Sequence, residues 1–342
     1  MNMNNWHTFL ASRGAVIHEH EVTNFGDLPS ELSAIATSGV LADLSHLSLL
    51  KLSGEDALSF LQGQVTNDVK QLNGSNSQYA GYCTPKGRLI ALFLAYGHED
   101  KLYLQLDRRL AEAITKRLRM YVLRSKVVIE DISDSTVRLG VSGKNAEAAL
   151  SGLFPALPAS AHELVSNENG VLIRLPGPVP RYELITDTSR AEGIWEQLKQ
   201  QLKPVGRKAW EWLEIQAGVP DIQPETQEEF VPQMINLDAL GGINFKKGCY
   251  TGQEIVARTH YLGKVKRRTQ LAHLSGENQP RPGDDVFVEG GNEAVGKIVR
   301  SAPSPAGGFD VLAEVRLESL EAGKLSCNGS PLVLSPLPYS LD

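Results

Sequence analysis

The chain has 342 residues, 42% of them apolar and 22% charged, with a formal net charge of −6 at pH 7. This length exceeds what one hydrophobic core usually supports, so two or three domains are expected, and the composition excludes a long disordered tail. An acidic chain does not hold nucleic acid through its overall field, so any RNA contact has to come from a local patch.

The first ten residues, Met1 to Leu10, show no basic flank followed by an apolar stretch, so no signal peptide is expected. Val40 to Leu52 reads as short strands, and Ser53 as a helix N-cap ahead of an apolar face at Ala57, Phe60 and Leu61. Strands are predicted at 79–83, 89–96 and 101–106, broken at Pro85-Lys86-Gly87 and Gly97-His98. The run from Leu89 to Tyr96 is the most apolar and far too short to span a bilayer. A helix follows, with Leu110, Ile114 and Leu118 on its inner side and Lys116 and Arg119 on a solvated one. Leu52-Ser53-Gly54-Glu55-Asp56-Ala57 resembles Val141-Ser142-Gly143-Lys144-Asn145-Ala146, which suggests two related units of strand, helix and strands. Further strands are predicted at 171–175 and 182–186. A helix over 189–202 ends at Pro204, and another over 206–217 stops at Gly218 and Pro220. From Lys264 onward, alternating runs between Gly, Pro and Asn turns indicate a small antiparallel β-domain.

Cys83, Cys249 and Cys327 are sparse and far apart, so they form no disulfide framework and fit a reducing cytosol. No C-x-x-C spacing, Walker A loop, dinucleotide fingerprint or metalloprotease motif is present, and no metal site is expected. The densest unusual stretch is Phe245-Lys246-Lys247-Gly248-Cys249-Tyr250-Thr251-Gly252-Gln253-Glu254. Thr251 and Glu254 have the spacing of a capping box opening a helix. Two lysines and a helix N-terminus beside Cys249 would favour its thiolate, whereas a buried inert cysteine is the plainer reading.

That stretch, with Phe230-Val231-Pro232-Gln233, Leu240-Gly241-Gly242-Ile243 and the segment Phe60 to Val69, resembles the YgfZ family of folate-binding relatives of the glycine-cleavage T-protein. The resemblance implies an α+β fold, a three-domain ring of T-protein (aminomethyltransferase) type. Two related α+β domains would be joined by a C-terminal antiparallel β-barrel. The expected domains are 1–48 with 126–262, 49–125 and 263–342. It implies a reduced folate, tetrahydrofolate or a derivative, in a central channel bordered by the Lys247–Glu254 loop. It also implies a cytoplasmic role supporting iron–sulfur enzymes, including tRNA-modifying ones. The partners would be those enzymes or their assembly proteins, with weak or indirect tRNA contact, no membrane, and at most a transient cluster. Cys249 is the candidate thiolate or cluster ligand. Gln216, Lys247, Tyr250, Gln253, Glu254, Asn67 and Asp68 are the candidate folate contacts, and Arg258, Lys264 and Arg267 those for an anionic tail.

Two departures from T-protein stand out. Its catalytic aspartate lies where this chain has Ile90 and Ala91, which removes the group that would handle a proton on the folate nitrogen and argues against aminomethyl transfer. Its Glu-Ala-Gly becomes Gln216-Ala217-Gly218, and Glu214 cannot replace that glutamate simply, because two residues turn by about 200° along a helix. Two alternatives stay open. One is a true folate-dependent aminomethyl or methyl transferase, which needs a channel carboxylate from elsewhere. The other is a non-catalytic RNA-binding or scaffold protein using the basic run Arg258, Lys264, Lys266, Arg267 and Arg268; the plainer reading of that run is a solvated edge. Asn67 and Asp68 have the composition of a turn cap, and His260 reads as structural.

Overall fold

A computed structural model describes residues 3–341. One sheet has six strands, in spatial order Leu164–Asn167, Gly170–Leu175, Arg181–Asp187, Thr136–Ser142, Val40–Asp43 and Lys203–Val205. Every pair is antiparallel except the last, where Lys203–Val205 runs parallel to Val40–Asp43. Pro204, expected only to end a helix, lies in this strand; a residue without an N–H is tolerated there because the strand is at the edge. The alternation of a strand then sorts the side chains. Tyr182 and Leu184 join Leu139 and Val141 in a core capped by Trp6 and Trp195. Glu183 and Arg138 therefore take the opposite, inner face. On that face Gly140 carries the helix Arg207–Gln216, since a Cβ there would come within 2.7 Å of the Trp210 ring.

The second sheet is antiparallel throughout, in the order Ser77–Cys83, Leu89–His98, Lys101–Asp107, Leu47–Ser53 and Val128–Asp131. The helix Arg108–Val122 packs on it through Leu110, Ile114 and Leu118. The sequence repeat is matched in geometry. Gly54 and Gly143 turn the chain at φ +110° and +98°, and helices Ala57–Gln62 and Ala146–Ser151 follow, each ending at a glycine. The caps are Asp56 and Asn145, not Ser53, which is the last residue of its strand.

Six strands after residue 266 close into a barrel around Val286, Ile298, Val311, Ala313 and Val315. It is tied to the helix Arg207–Gln216: Arg300 donates to both oxygens of Glu211, at 2.5 and 3.1 Å, and Trp212 Nε1 donates to Asp310 at 2.6 Å. Among the described residues no helix is long and apolar enough to cross a membrane.

Candidate functional site

The inner faces of both sheets, the helix Arg207–Gln216 and the barrel strand Ala294–Pro303 line one cavity that is partly open to solvent. Leu47, Leu92, Leu94, Leu106, Leu175 and Trp210 supply apolar wall, while His46, Gln105, Asp107, Glu183, Glu214, Asp221 and Arg300 supply polar groups. Apolar walls with few convergent polar groups are the usual make-up of a small-molecule site.

Most of these polar groups are engaged by the protein. Arg109 donates to both Asp107 oxygens, at 3.1 and 2.8 Å. Glu214 lies 2.5 Å from Arg181, which is fully buried, and 3.7 Å from Arg300. Burial, reinforced by Arg207 and Arg300, holds His46 well below the usual histidine range and so neutral. His46 Nδ1 is buried without a hydrogen-bond partner among the described residues, and Glu183 and Gln105 are likewise incompletely bonded. Gln105 Nε2 donates to Glu183 Oε2 at 2.9 Å, but Glu183 Oε1 and Gln105 Oε1 are buried without a hydrogen-bond partner among the described residues. Burial pushes the Glu183 carboxyl up to about 7, against the pull of Gln105, Arg138 and Arg181. Two buried acceptors with no donor are a costly arrangement that a ligand bearing N–H groups would relieve.

The strand at the T-protein aspartate position shows an apolar face, with Leu92 and Leu94 on the wall and Ile90 in phase with them. The carboxylates of the cavity come from elsewhere: Asp107 and Glu183 from other strands, Glu214 from the helix Arg207–Gln216 and Asp221 from the loop after it.

The signature loop is built differently and lies outside the lining of this cavity. None of Lys247, Cys249, Tyr250, Gln253 and Glu254 is among the lining residues. Lys247 Nζ donates to the carbonyls of Gln62, Val65 and Asn67 at 2.7, 2.6 and 2.8 Å, so all three ammonium hydrogens are taken. The ammonium also sits 5.0 Å from the buried Tyr250 ring. Lys247 is thus a clamp that closes the loop after the helix Ala57–Gln62, with no donor left for a ligand. Asn67 serves the same closure: Nδ2 donates to Tyr79 O and Gly241 O at 2.8 and 2.7 Å. Asp68 caps the short turn Val69–Gln71.

The capping box is also absent. The N-cap is Gly252 at φ +85°, and Gln253–Tyr261 follows, with Gln253 part-exposed and Glu254 exposed in its first turn. A Cβ on Gly252 would lie 2.5 Å from Thr84 O, so the turn Thr84–Arg88 dictates the glycine. Cys249 is exposed, while Cys83 and Cys327 are buried, which pushes both thiols up to about 12. Gln216 points to the barrel and donates to Asp310 at 3.1 Å. Arg267 forms a paired contact with Glu314 at 2.9 and 2.8 Å, and Arg268 with Asp238 at 2.6 and 3.0 Å. Arg258 and Lys264 are exposed, and Lys264 and Arg267 border a separate surface groove. His260 stacks on Phe245 with ring centroids 3.7 Å apart, a packing role.

Two α+β sheets closed by a terminal barrel around one cavity form the aminomethyltransferase fold. Over 97% of its length the chain is similar to the crystal structure of glycine cleavage system aminomethyltransferase T from Bartonella henselae, 96% of which it covers, at 17% identity and a TM-score of 0.77. A model of the GCVT N-terminal domain matches residues 11–246, and the chain belongs to that family. Heterotetrameric sarcosine oxidase from Corynebacterium sp. U-96 (15% identity, 50% of this chain and 89% of that one) and the aspartate kinase regulatory subunit from Thermus thermophilus (12% identity, 49% and 99%) have TM-scores of 0.38 and 0.26, too low to bear on the fold.

Proposed function

We propose that the chain binds a reduced folate, with its pterin in the central cavity, and supports the synthesis or repair of iron–sulfur enzymes in the cytoplasm. The observation that carries the folate reading is the pair of partnerless acceptors on Glu183 and Gln105 beside an apolar slot. A pterin presents a flat ring for Trp210 and the leucines, and an amide–amine edge whose N–H groups suit a carboxylate and a carboxamide oxygen. The family match and the fold support the same ligand class. The iron–sulfur role, with tRNA-modifying clients or assembly proteins as partners, rests on the YgfZ-type signature and on the exposure of Cys249 within it. Glu183 and Gln105 replace Lys247, Tyr250, Gln253 and Glu254 as the pterin contacts, because the lysine is spent on carbonyls and none of the four lines the cavity.

Calorimetric titration with tetrahydrofolate tests this. Wild type should bind, Glu183→Ala should weaken binding about tenfold or more, and Cys249→Ala should leave it unchanged. Failure of the wild type to bind at millimolar ligand would remove the reading. A second reading, a folate-dependent aminomethyl or methyl transferase, is favoured by one observation: Asp221 gives the wall a carboxylate that the apolar strand does not. Transfer of a one-carbon unit to tetrahydrofolate, abolished by Asp221→Asn, would establish it.

A further inference from the structure

We infer that Asp221 sets the cavity's preference for a reduced over an oxidised pterin ring, by accepting an N–H that only the reduced ring carries; this rests on the folate reading above. Of the four wall carboxylates, Asp107 is held by Arg109, Glu214 by Arg181 and Arg300, and Glu183 by Gln105. Asp221 accepts only the amide of its own neighbour Ile222, at 2.8 Å, and has no ion pair among the described residues. Arg300, the cation on this wall, is turned to Glu211 and to the Val219 carbonyl.

The placement supplies the second part. Gln105 donates to Glu183, whereas Arg109 joins Asp107, at 2.8 Å, to Gln223, at 3.0 Å and two residues from Asp221, so the two carboxylates belong to different ends of one cavity. Gln105 and Asp107 mark the same two ends on one face of the strand Lys101–Asp107, about 7 Å apart at two residues' rise. That is the scale of a fused bicycle. A pterin whose amide edge meets Glu183 and Gln105 therefore turns its second ring toward Asp107 and Asp221. In the oxidised ring the nitrogens there carry lone pairs and no hydrogen, and a carboxylate repels them. In the tetrahydro ring they are N–H donors, and a free carboxylate accepts them. Burial, with Asp107 and Glu211 near, pushes Asp221 up to about 7, so a ligand donor also relieves a carboxylate that the cavity disfavours.

The test is the ratio of dissociation constants for folic acid and tetrahydrofolate, measured anaerobically by calorimetry on wild type, Asp221→Asn and Asp221→Leu. Thermal unfolding of each variant confirms that it is folded. Wild type should favour tetrahydrofolate about tenfold or more. Asp221→Leu should lose that preference by weakening the reduced ligand, with folic acid changed less than about threefold. Asp221→Asn, nearly isosteric, should narrow the ratio from the other side, because its amide can donate to the oxidised ring. Tetrahydrofolate binding with the same ratio in all three proteins would overturn this inference and leave the folate reading standing. Wild type that binds neither compound would overturn both.

Discussion

Lys247 and Glu183 are both charged side chains taken out of water, one in the signature loop and one in the central cavity. Around Lys247 every hydrogen is matched by a carbonyl 2.6–2.8 Å away. Around Glu183 one oxygen is bonded to Gln105 and the other has no partner among the described residues. A satisfied buried charge holds a structure in one shape, while an unsatisfied one is tolerated where something else completes it. The most distinctive sequence in the chain is therefore largely a scaffold, and the candidate binding groups lie in strands with no obvious signature.

Three substitutions would break or sharpen this contrast. The largest effect is expected at Lys247. Lys247→Met should destabilise the protein by about 3–5 kcal/mol, because three carbonyls lose their donor in a buried loop. Urea unfolding reads this directly, and the variant should still bind tetrahydrofolate below its unfolding midpoint. A ligand affinity lost in a folded Lys247→Met protein would return the lysine to the site.

Glu183→Gln should act in the opposite direction. Burial pushes the folded carboxyl up to about 7 from its ordinary 4.5, so the folded state holds an extra proton between those values. Its contribution to stability is full at low pH and falls as pH rises through that window. Relative to wild type, Glu183→Gln should thus be unchanged near pH 4 and gain up to about 3 kcal/mol by pH 8, while binding folate more weakly. Asp221 is raised with the same sign and will leave a residual slope in the variant. Chemical denaturation of both proteins at a series of pH values would show the difference curve. A flat difference would mean that Glu183 is not a strained carboxyl.

Gln216→Glu should have the smallest effect, a loss of about 1 kcal/mol. Asp310 already accepts from Trp212 at 2.6 Å, His273 at 2.7 Å and Gln216 at 3.1 Å, and a second carboxylate would replace a donor with a like charge. This also explains the departure from Glu-Ala-Gly at this position: the side chain serves the barrel contact. A shift in the urea midpoint that vanishes in Asp310→Asn would confirm the coupling.

The strands and helices that carry strong periodicity were legible in the sequence, as were the terminal β-unit and the repeat around Gly54 and Gly143. The errors share one cause, contacts between residues distant in the chain. Thr251 and Glu254 have capping-box spacing, yet the Thr84 carbonyl crowds position 252 and moves the cap to a glycine. Pro204 reads as a helix stop, yet the edge it occupies is defined by Val40–Asp43. A buried cysteine was the plainer reading of Cys249, yet the residue is exposed, and Lys247 near it is held by carbonyls about 180 residues earlier in the chain. Glu183 did leave a trace. It is a carboxylate between Tyr182 and Leu184 in the buried stretch of its strand, and such a residue is rarely buried without a partner or a purpose. Its partner Gln105 lies 78 residues away, so nothing local joins the two.

The most direct test of the central claim is a crystal structure of the protein with tetrahydrofolate. The account predicts the pterin between Trp210 and the leucine wall, its amide edge within hydrogen-bond distance of Glu183 and Gln105, and the loop around Lys247 unmoved. A pterin bound instead against Lys247, Tyr250 or Glu254, with the cavity empty, would contradict it.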